Sequence, residues 1–201
     1  GRYAYQNQPA IAHWNLMTLA QALLPLLHDN EDIAIEQAKA ALQTFPDRFD
    51  EHYHAESAVK LGLTPSKVSR ALFSEFLALL ETHELDFTNS FSGLAGRLNS
   101  NTPLLATDDW LQWMANWQAA LYENQDKAAA RHRMERANPY VIPRNHLVEH
   151  AIQQAYREAH FDQFDALLQA VTNPFDPGHA DSRFAQAPAR DEIVKRTFCG
   201  T

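Results

Sequence analysis

Asp108-Asp109-Trp110-Leu111-Gln112-Trp113-Met114-Ala115-Asn116-Trp117-Gln118-Ala119-Ala120-Leu121 is the stretch that decides the fold. Trp110, Trp113, Met114, Trp117 and Leu121 recur at the three- and four-residue spacing of one helix face. Thr107-Asp108-Asp109 supplies a cap and places negative charge on the first turn, where the helix dipole favours it. Three of the four Trp residues of the chain lie on this stripe. Such a stripe can be a stacking platform, but it is far more often a core-facing surface. The expectation is a buried helix at the centre of an all-α domain.

The neighbouring sequence reads the same way. Pro9 suits the first position of a helix carrying Ile11, Trp14, Leu19, Leu23 and Leu27, which Pro25 should end or kink. A second helical region covers about 32–61, with Ile35, Ala38 and Leu42 on one face, then Phe45, Phe49 and Tyr53. Pro46 must kink or split it, and Gly62 reads as its stop. Thr64-Pro65 reads as a cap and first-turn proline for a helix through Val68, Leu72, Phe76 and Leu79. A helix over 87–98 is weakened by Gly93 and Gly96, and 99–102 is a polar turn. The charged segment 123–136 continues as an exposed helix until Asn138-Pro139 breaks it. Arg144-Asn145 opens a helix through Leu147, Ala151, Ile152 and Ala155, and Phe161 to Val171 forms the last. No segment alternates with a period of two. The reading is an irregular all-α domain of six to eight helices over 1–172, followed by an extended Pro-containing tail over 173–201.

Composition sets the outer limits. The 201 residues are 45% hydrophobic and 10% aromatic, enough for a real core. A net charge of −8 argues against a nucleic-acid partner, which needs a concentrated basic surface. Uninterrupted apolar runs are only a few residues long, so no membrane span is expected. The single cysteine, Cys199, cannot form a disulfide within the chain, which favours a cytoplasm-like compartment. Its thiol is either a stray surface group or a redox-active one whose partner lies elsewhere.

The search for chemistry returns little. His146-Leu147-Val148-Glu149-His150 has the form of an inverted zinc-protease motif, with two His one helical turn apart. Only Glu158 and Glu192 follow as possible third ligands, and with ten His in the chain such a pair arises readily by chance. Glu51, His52 and His54 form a weaker group, because His52 and His54 do not share a helix face. There is no phosphate-cradling glycine loop, no strand-borne lysine with a catalytic-loop aspartate, and no nucleophile elbow. Residues alone describe a helical domain with no visible active site.

Gly1-Arg2-Tyr3-x-Tyr5-x-Asn7-Gln8-Pro9-Ala10, two Tyr and a helix start at the first residues, reads like the middle of a larger protein. Trp14-Asn15-Leu16, Lys60-Leu61-Gly62-Leu63 and Asp86-Phe87-Thr88-x-x-Phe91 follow in order. Then come Trp113, Arg133-Met134-x-x-x-Asn138-Pro139, Arg144-Asn145, Ala151-Ile152 and Asn173-Pro174-Phe175, with a Cys near the end. In order and spacing these resemble the selenoprotein O family across nearly the whole chain. Ser92, where an Arg is expected, and Pro143, where an aliphatic residue is expected, depart from its pattern.

The resemblance implies the C-terminal helical part of a kinase-like protein that transfers AMP from ATP, with Mg²⁺ or Mn²⁺, to protein Ser, Thr or Tyr hydroxyls. It carries no catalytic, cofactor-binding or metal residue onto this chain, because the family's own precede the Gly1-Arg2-Tyr3 segment. The chain alone is therefore expected to be inactive, structural or regulatory. Its expected partners are the catalytic part of the same protein and, through it, the protein substrates. The resemblance also raises the redox reading of Cys199 and suggests Arg2, Tyr3 and Asn7 as contacts to the catalytic part. The alternative is a stand-alone helical interaction module without activity, its aromatic helix forming the groove.

Overall fold

The computed structural model describes residues 4–98, 104–122 and 126–194. Every regular element among them is helical. After a 3-10 turn Tyr5–Asn7 come α1 Gln8–Leu27, α2 Glu31–Gln43, α3 Phe45–Lys60, α4 Lys67–Thr82 and α5 Phe87–Ser92. Then follow α6 Leu94–Arg97, α7 Asp108–Tyr122, α8 Lys127–Ala137, α9 Asn145–Glu158 and α10 Asp162–Thr172. α5 and α6 have only 6 and 4 residues, whereas the others have 11 or more. The all-α class read from the sequence is the class the chain adopts. The chain divides into two units, Gly1–Glu56 and Ser57–Thr201, with α3 contributing residues to both.

The first unit is a helical hairpin, α1 and α2, with most of α3. Asn30 caps α2 by accepting the Ile33 N–H at 3.2 Å, and Glu31 and Asp32 load its first turn. Ala34 and Ala38, one turn apart, are the only buried residues described in this unit, and they let α2 pack on α1. Pro25 does not end α1 where it stands. It removes only the hydrogen bond to Gln21 four residues back, so the helix runs two residues further. Pro46 does split the second region, because α2 stops at Gln43 and Pro46 takes the first turn of α3. Phe45 stacks on His13 at 5.4 Å, and Phe45, Phe49 and Tyr53 form a ladder along α3 at 5.7 and 5.8 Å.

By length and composition alone α1 could cross a membrane, although its apolar runs are short; a core helix of a larger protein passes the same test. Single polar residues such as His13, Asn15, Thr18 and Gln21 interrupt the runs while leaving the helix apolar on average. None of its described residues is buried.

The second unit holds the core. Trp110, Trp113 and Trp117 of α7 are all at most 2% exposed, as the stripe predicts. Trp113 and Trp117 stack at 5.6 Å, and Phe76 of α4 lies 4.6 Å from Trp113. Each of these two indoles also donates to a backbone carbonyl: Trp113 Nε1 to Leu72 at 2.9 Å, Trp117 Nε1 to Leu61 at 2.8 Å. Those carbonyls lie near the end of α3 and inside α4, so α7 orients both by polar bonds as well as by burial.

The α3 terminus shows why Gly62 stands there. The Gly62 N–H bonds Val59 and the Leu63 N–H bonds Ala58, a Schellman ending that needs a left-handed residue. Gly62 has φ +73°, and a Cβ on it would come within 3.1 Å of the Ala130 carbonyl and the Met134 side chain. The α4 start lies later than Thr64-Pro65. Ser66 is the cap, exchanging hydrogen bonds with Ser69 in a capping box. Gly93 separates α5 from α6, where a single helix was expected over 87–98. Likewise α8 is a helix of its own. The Asp126 side chain accepts the Ala128 N–H at 2.9 Å, and Ala130 and Met134 are buried, so 123–136 is not one exposed continuation. On α9, Ile152 is exposed rather than part of a buried stripe.

Trp117→Phe keeps an aromatic ring but removes the donor and part of the indole's volume, leaving the buried Leu61 carbonyl without that hydrogen bond. Stability measured by urea unfolding should fall by about 1–3 kcal/mol. An unchanged midpoint would mean that the indole bond contributes nothing to holding α3 on α7.

Candidate functional site

Several residues that carry the family resemblance, all in unit Ser57–Thr201, converge on one another. Lys60, at the end of α3, donates to the Ala137 carbonyl at 3.0 Å and to Asn138 Oδ1 at 3.2 Å. Asn138 returns a bond from Nδ2 to the Lys60 carbonyl at 2.8 Å. The Lys60 ammonium also lies 5.2 Å from the centre of the Phe91 ring. About one turn back along α8, Arg133 donates Nη2 and Nε to the Gly62 carbonyl at 2.9 and 3.3 Å. Residues 60–62 and 133–138 are thereby fastened across more than 70 positions of sequence.

A second fastening uses charge. Asp86 caps α5, its Oδ1 accepting the Asn89 N–H at 2.8 Å. Arg144, buried at the start of α9, donates Nη1 to Asp86 Oδ2 at 2.7 Å and Nη2 to Oδ1 at 3.0 Å. The same Nη2 reaches Asn89 Oδ1 and the Ala185 carbonyl of the tail, both at 3.1 Å. Three segments therefore meet at one guanidinium. Burial pushes the Asp86 carboxyl up, but the Arg144 and Asn89 hydrogen bonds and the Arg144 charge outweigh it and hold it below its ordinary value. Nearby, Tyr140 N–H donates to the Pro174 carbonyl at 2.8 Å, tying the tail to the segment after α8.

Elsewhere, Asp109 at the start of α7 is held down to about 2 by the adjacent Thr107 hydroxyl and by His83, whose Nε2 lies 2.9 Å from Oδ2. It sits beside a groove of about 400 Å³ lined by Glu75, Thr82, Gln112, Trp113 and Asn116. A second hollow, of about 490 Å³, lies between α10 and the tail, with Asn173, Asp176 and His179 on its wall. Asp176 Oδ1 is used there to accept the Gly178 N–H and cap the 3-10 turn Pro177–His179.

The residues singled out for chemistry stand apart from these networks. His146 is half-buried and His150 exposed on α9, and Glu149 accepts a hydrogen bond from Gln153. Glu192 caps the Ala189 N–H, and Glu158 lies 3.7 Å from His160. Glu51 and His52 are exposed, while His54 Nδ1 turns back to the Asp50 carbonyl at 2.6 Å. Among the described residues no three His, Cys, Asp or Glu side chains form a group able to hold a metal ion. Arg2, Tyr3 and Cys199 lie outside the described residues, and Asn7 closes the 3-10 turn by bonding the Ala4 carbonyl at 2.9 Å.

Sequence reasoning missed Asp86 as a cap and as the partner of Arg144. The Asp86-Phe87-Thr88-Asn89 pattern, an acidic residue before an apolar helical start, carried that signal. It likewise missed the His83–Asp109 pair, which joins residues 26 apart and leaves no local mark.

The arrangement in unit Ser57–Thr201 is therefore that of a helical body in which polar side chains hold distant segments together. Comparison with known proteins places it. A family model described as protein adenylyltransferase SelO matches residues 1–172. Curated relatives called protein nucleotidyltransferase YdiU match the whole chain over 203 residues. The one from Geobacillus kaustophilus is 37% identical and the one from Alcanivorax borkumensis 38%, with 42% of each relative covered. That from Halalkalibacterium halodurans is 37% identical, with 41% covered. The chain belongs to the SelO family. It spans about two fifths of the length of the curated relatives it matches.

Arg144→Met removes the charge that offsets the partial burial of Asp86 and should cost about 3 kcal/mol. The acid limb separates this from simple loss of packing. A depressed carboxylate adds stability that is present above its unfolded value near pH 4 and is lost as pH falls through and below that value. Wild type should lose more stability than Arg144→Met between about pH 5 and pH 2, measured by urea unfolding at each pH. Parallel acid limbs would mean that the pair does not set the Asp86 ionisation.

Proposed function

We propose that this chain is the helical C-terminal region of a longer protein adenylyltransferase, which it buttresses without performing the transfer itself. The match of the SelO family to residues 1–172 supports this reading most strongly. The use of Lys60, Asp86, Arg133, Asn138 and Arg144 as fasteners agrees with it. In the reaction, a Ser, Thr or Tyr hydroxyl of a protein attacks the α-phosphorus of ATP. The bond between the α- and β-phosphates breaks, pyrophosphate leaves, and the hydroxyl proton passes to a base. Such chemistry rests on positioning and charge.

On this reading ATP and its Mg²⁺ or Mn²⁺ are held by the remainder of the protein, as the family resemblance implies. Arg2, Tyr3 and Asn7 are the proposed contacts to that catalytic part. Cys199 is the proposed regulatory thiol: it would pair with a thiol of the catalytic part as an oxidised glutathione or similar disulfide takes up the two electrons. The bacterial relatives and the single cysteine favour a cytoplasmic setting.

The test uses ATP labelled at the α-phosphate, with Mg²⁺ or Mn²⁺, on the full-length parent and on the 201-residue chain in parallel. Label should enter protein with the parent and not with the chain alone. No label with a folded, reduced parent would overturn the reading and leave an interaction module. In the parent, oxidation should lower the rate several-fold and Cys199→Ser should abolish that response. An equal response in both would remove Cys199 from regulation.

A further inference from the structure

Unit Gly1–Glu56 does not account for its own stability. Its described residues bury only Ala34 and Ala38, two of the smallest apolar side chains available. A unit of this size needs far more apolar burial to offset the chain entropy of its helices. The missing apolar surface is on the page, and it is on α1. Trp14, Leu16, Met17, Leu19, Leu23 and Leu26 are all exposed, Leu26 by 81%.

Their placement around the helix matters as much as their number. At about 100° per residue, Leu16, Leu19, Leu23 and Leu26 crowd one side of α1. Met17 and Trp14 project on other sides. The hairpin with α2 covers only the strip around Ala20 and Leu24, which are half-buried. A helix apolar on most sides is built for the middle of a large body or for a membrane.

Two observations choose between these. The residues after α1, His28-Asp29-Asn30-Glu31-Asp32, carry three acidic groups and no Lys or Arg, and α1 itself has none. An anionic lipid surface repels such a flank, and spanning helices are anchored by basic and interfacial groups. Second, the relatives that match the whole chain are more than twice its length, so a body large enough to surround a helix exists in them.

We infer that α1 is a core helix of the full-length protein, and that its exposed apolar surface is covered by the part of the parent outside these 201 residues. The inference rests on the reading that this chain is one region of a longer SelO-family protein. It adds the element that joins the two parts: Leu16, Leu19, Leu23 and Leu26 enter the same apolar interior as side chains of the catalytic part. The supporting role then has a physical form, because the catalytic part and the 201-residue region share a core and unfold together.

The experiment places a photo-crosslinking phenylalanine analogue at Leu19, and separately at Leu26, in the full-length parent, and maps the products by mass spectrometry. Intramolecular crosslinks to residues outside the 201 are expected, with amide exchange of 8–27 about a hundredfold slower in the parent than in the chain alone. Crosslinks between copies, to residues 57–194, or to added anionic vesicles, in place of those, would overturn the inference. So would equal exchange in parent and chain. As a control at a site away from α1, the analogue at Tyr156, exposed by 88%, should not give the same crosslinks. The readout does not depend on catalysis. Core crosslinks in a parent that transfers no AMP would retain the shared core and discard the adenylyltransferase reading, whereas active parent without them would do the reverse.

Discussion

The second unit depends on the bonds of one buried cation. Arg144 is held by both oxygens of Asp86, by Asn89 and by the carbonyl of Ala185, so the starts of α5 and α9 and the tail are positioned together. A buried guanidinium is costly unless its donors are answered, and this geometry answers the two terminal nitrogens with four acceptors. The aromatic core of α4 and α7 supplies most of the burial, but burial has no direction. The fixed bonds from Arg144, Lys60, Arg133 and two indoles specify which segments meet.

Lys60, Gly62, Asp86, Arg133, Asn138 and Arg144 stand where they do for a common physical reason. Lys60, Asn138 and Gly62 stand where α3 ends and α8 turns away. Gly62 alone fits the left-handed turn and the close approach of α8, and Arg133 then satisfies its carbonyl. Asp86 and Arg144 stand where two helices start. These are backbone ends whose polar groups must be satisfied once buried, which explains the charged side chains at these positions.

The sequence was most legible where local chemistry decides. The α7 stripe, the Gly62 stop, the split at Pro46 and the break at Asn138-Pro139 follow from periodicity, glycine freedom and proline sterics, and each stands as read. It was least legible where two distant segments decide. Ser66 replaced Thr64-Pro65 as a cap because Ser69 was there to answer it, and α8 separated from α7 because Asp126 could cap and Ala130 and Met134 could be buried. The Asp86–Arg144 pair joins residues 58 apart and could not be seen from either neighbourhood. Counting unbroken apolar runs left out how apolar α1 is on average, which shows only over the whole helix. Its family membership was legible because many weak local patterns recur in one order, even though none of them is a reaction motif.

Lys60, Asp86, Arg133, Asn138 and Arg144 fasten segments of the second unit to one another. A double-mutant cycle on Lys60 and Asn138 in the 201-residue chain tests this most directly. With Lys60→Met, Asn138→Ala and the pair measured by urea unfolding, the account predicts a coupling of about 1–2 kcal/mol. Additive effects, with no coupling between the two, would contradict it.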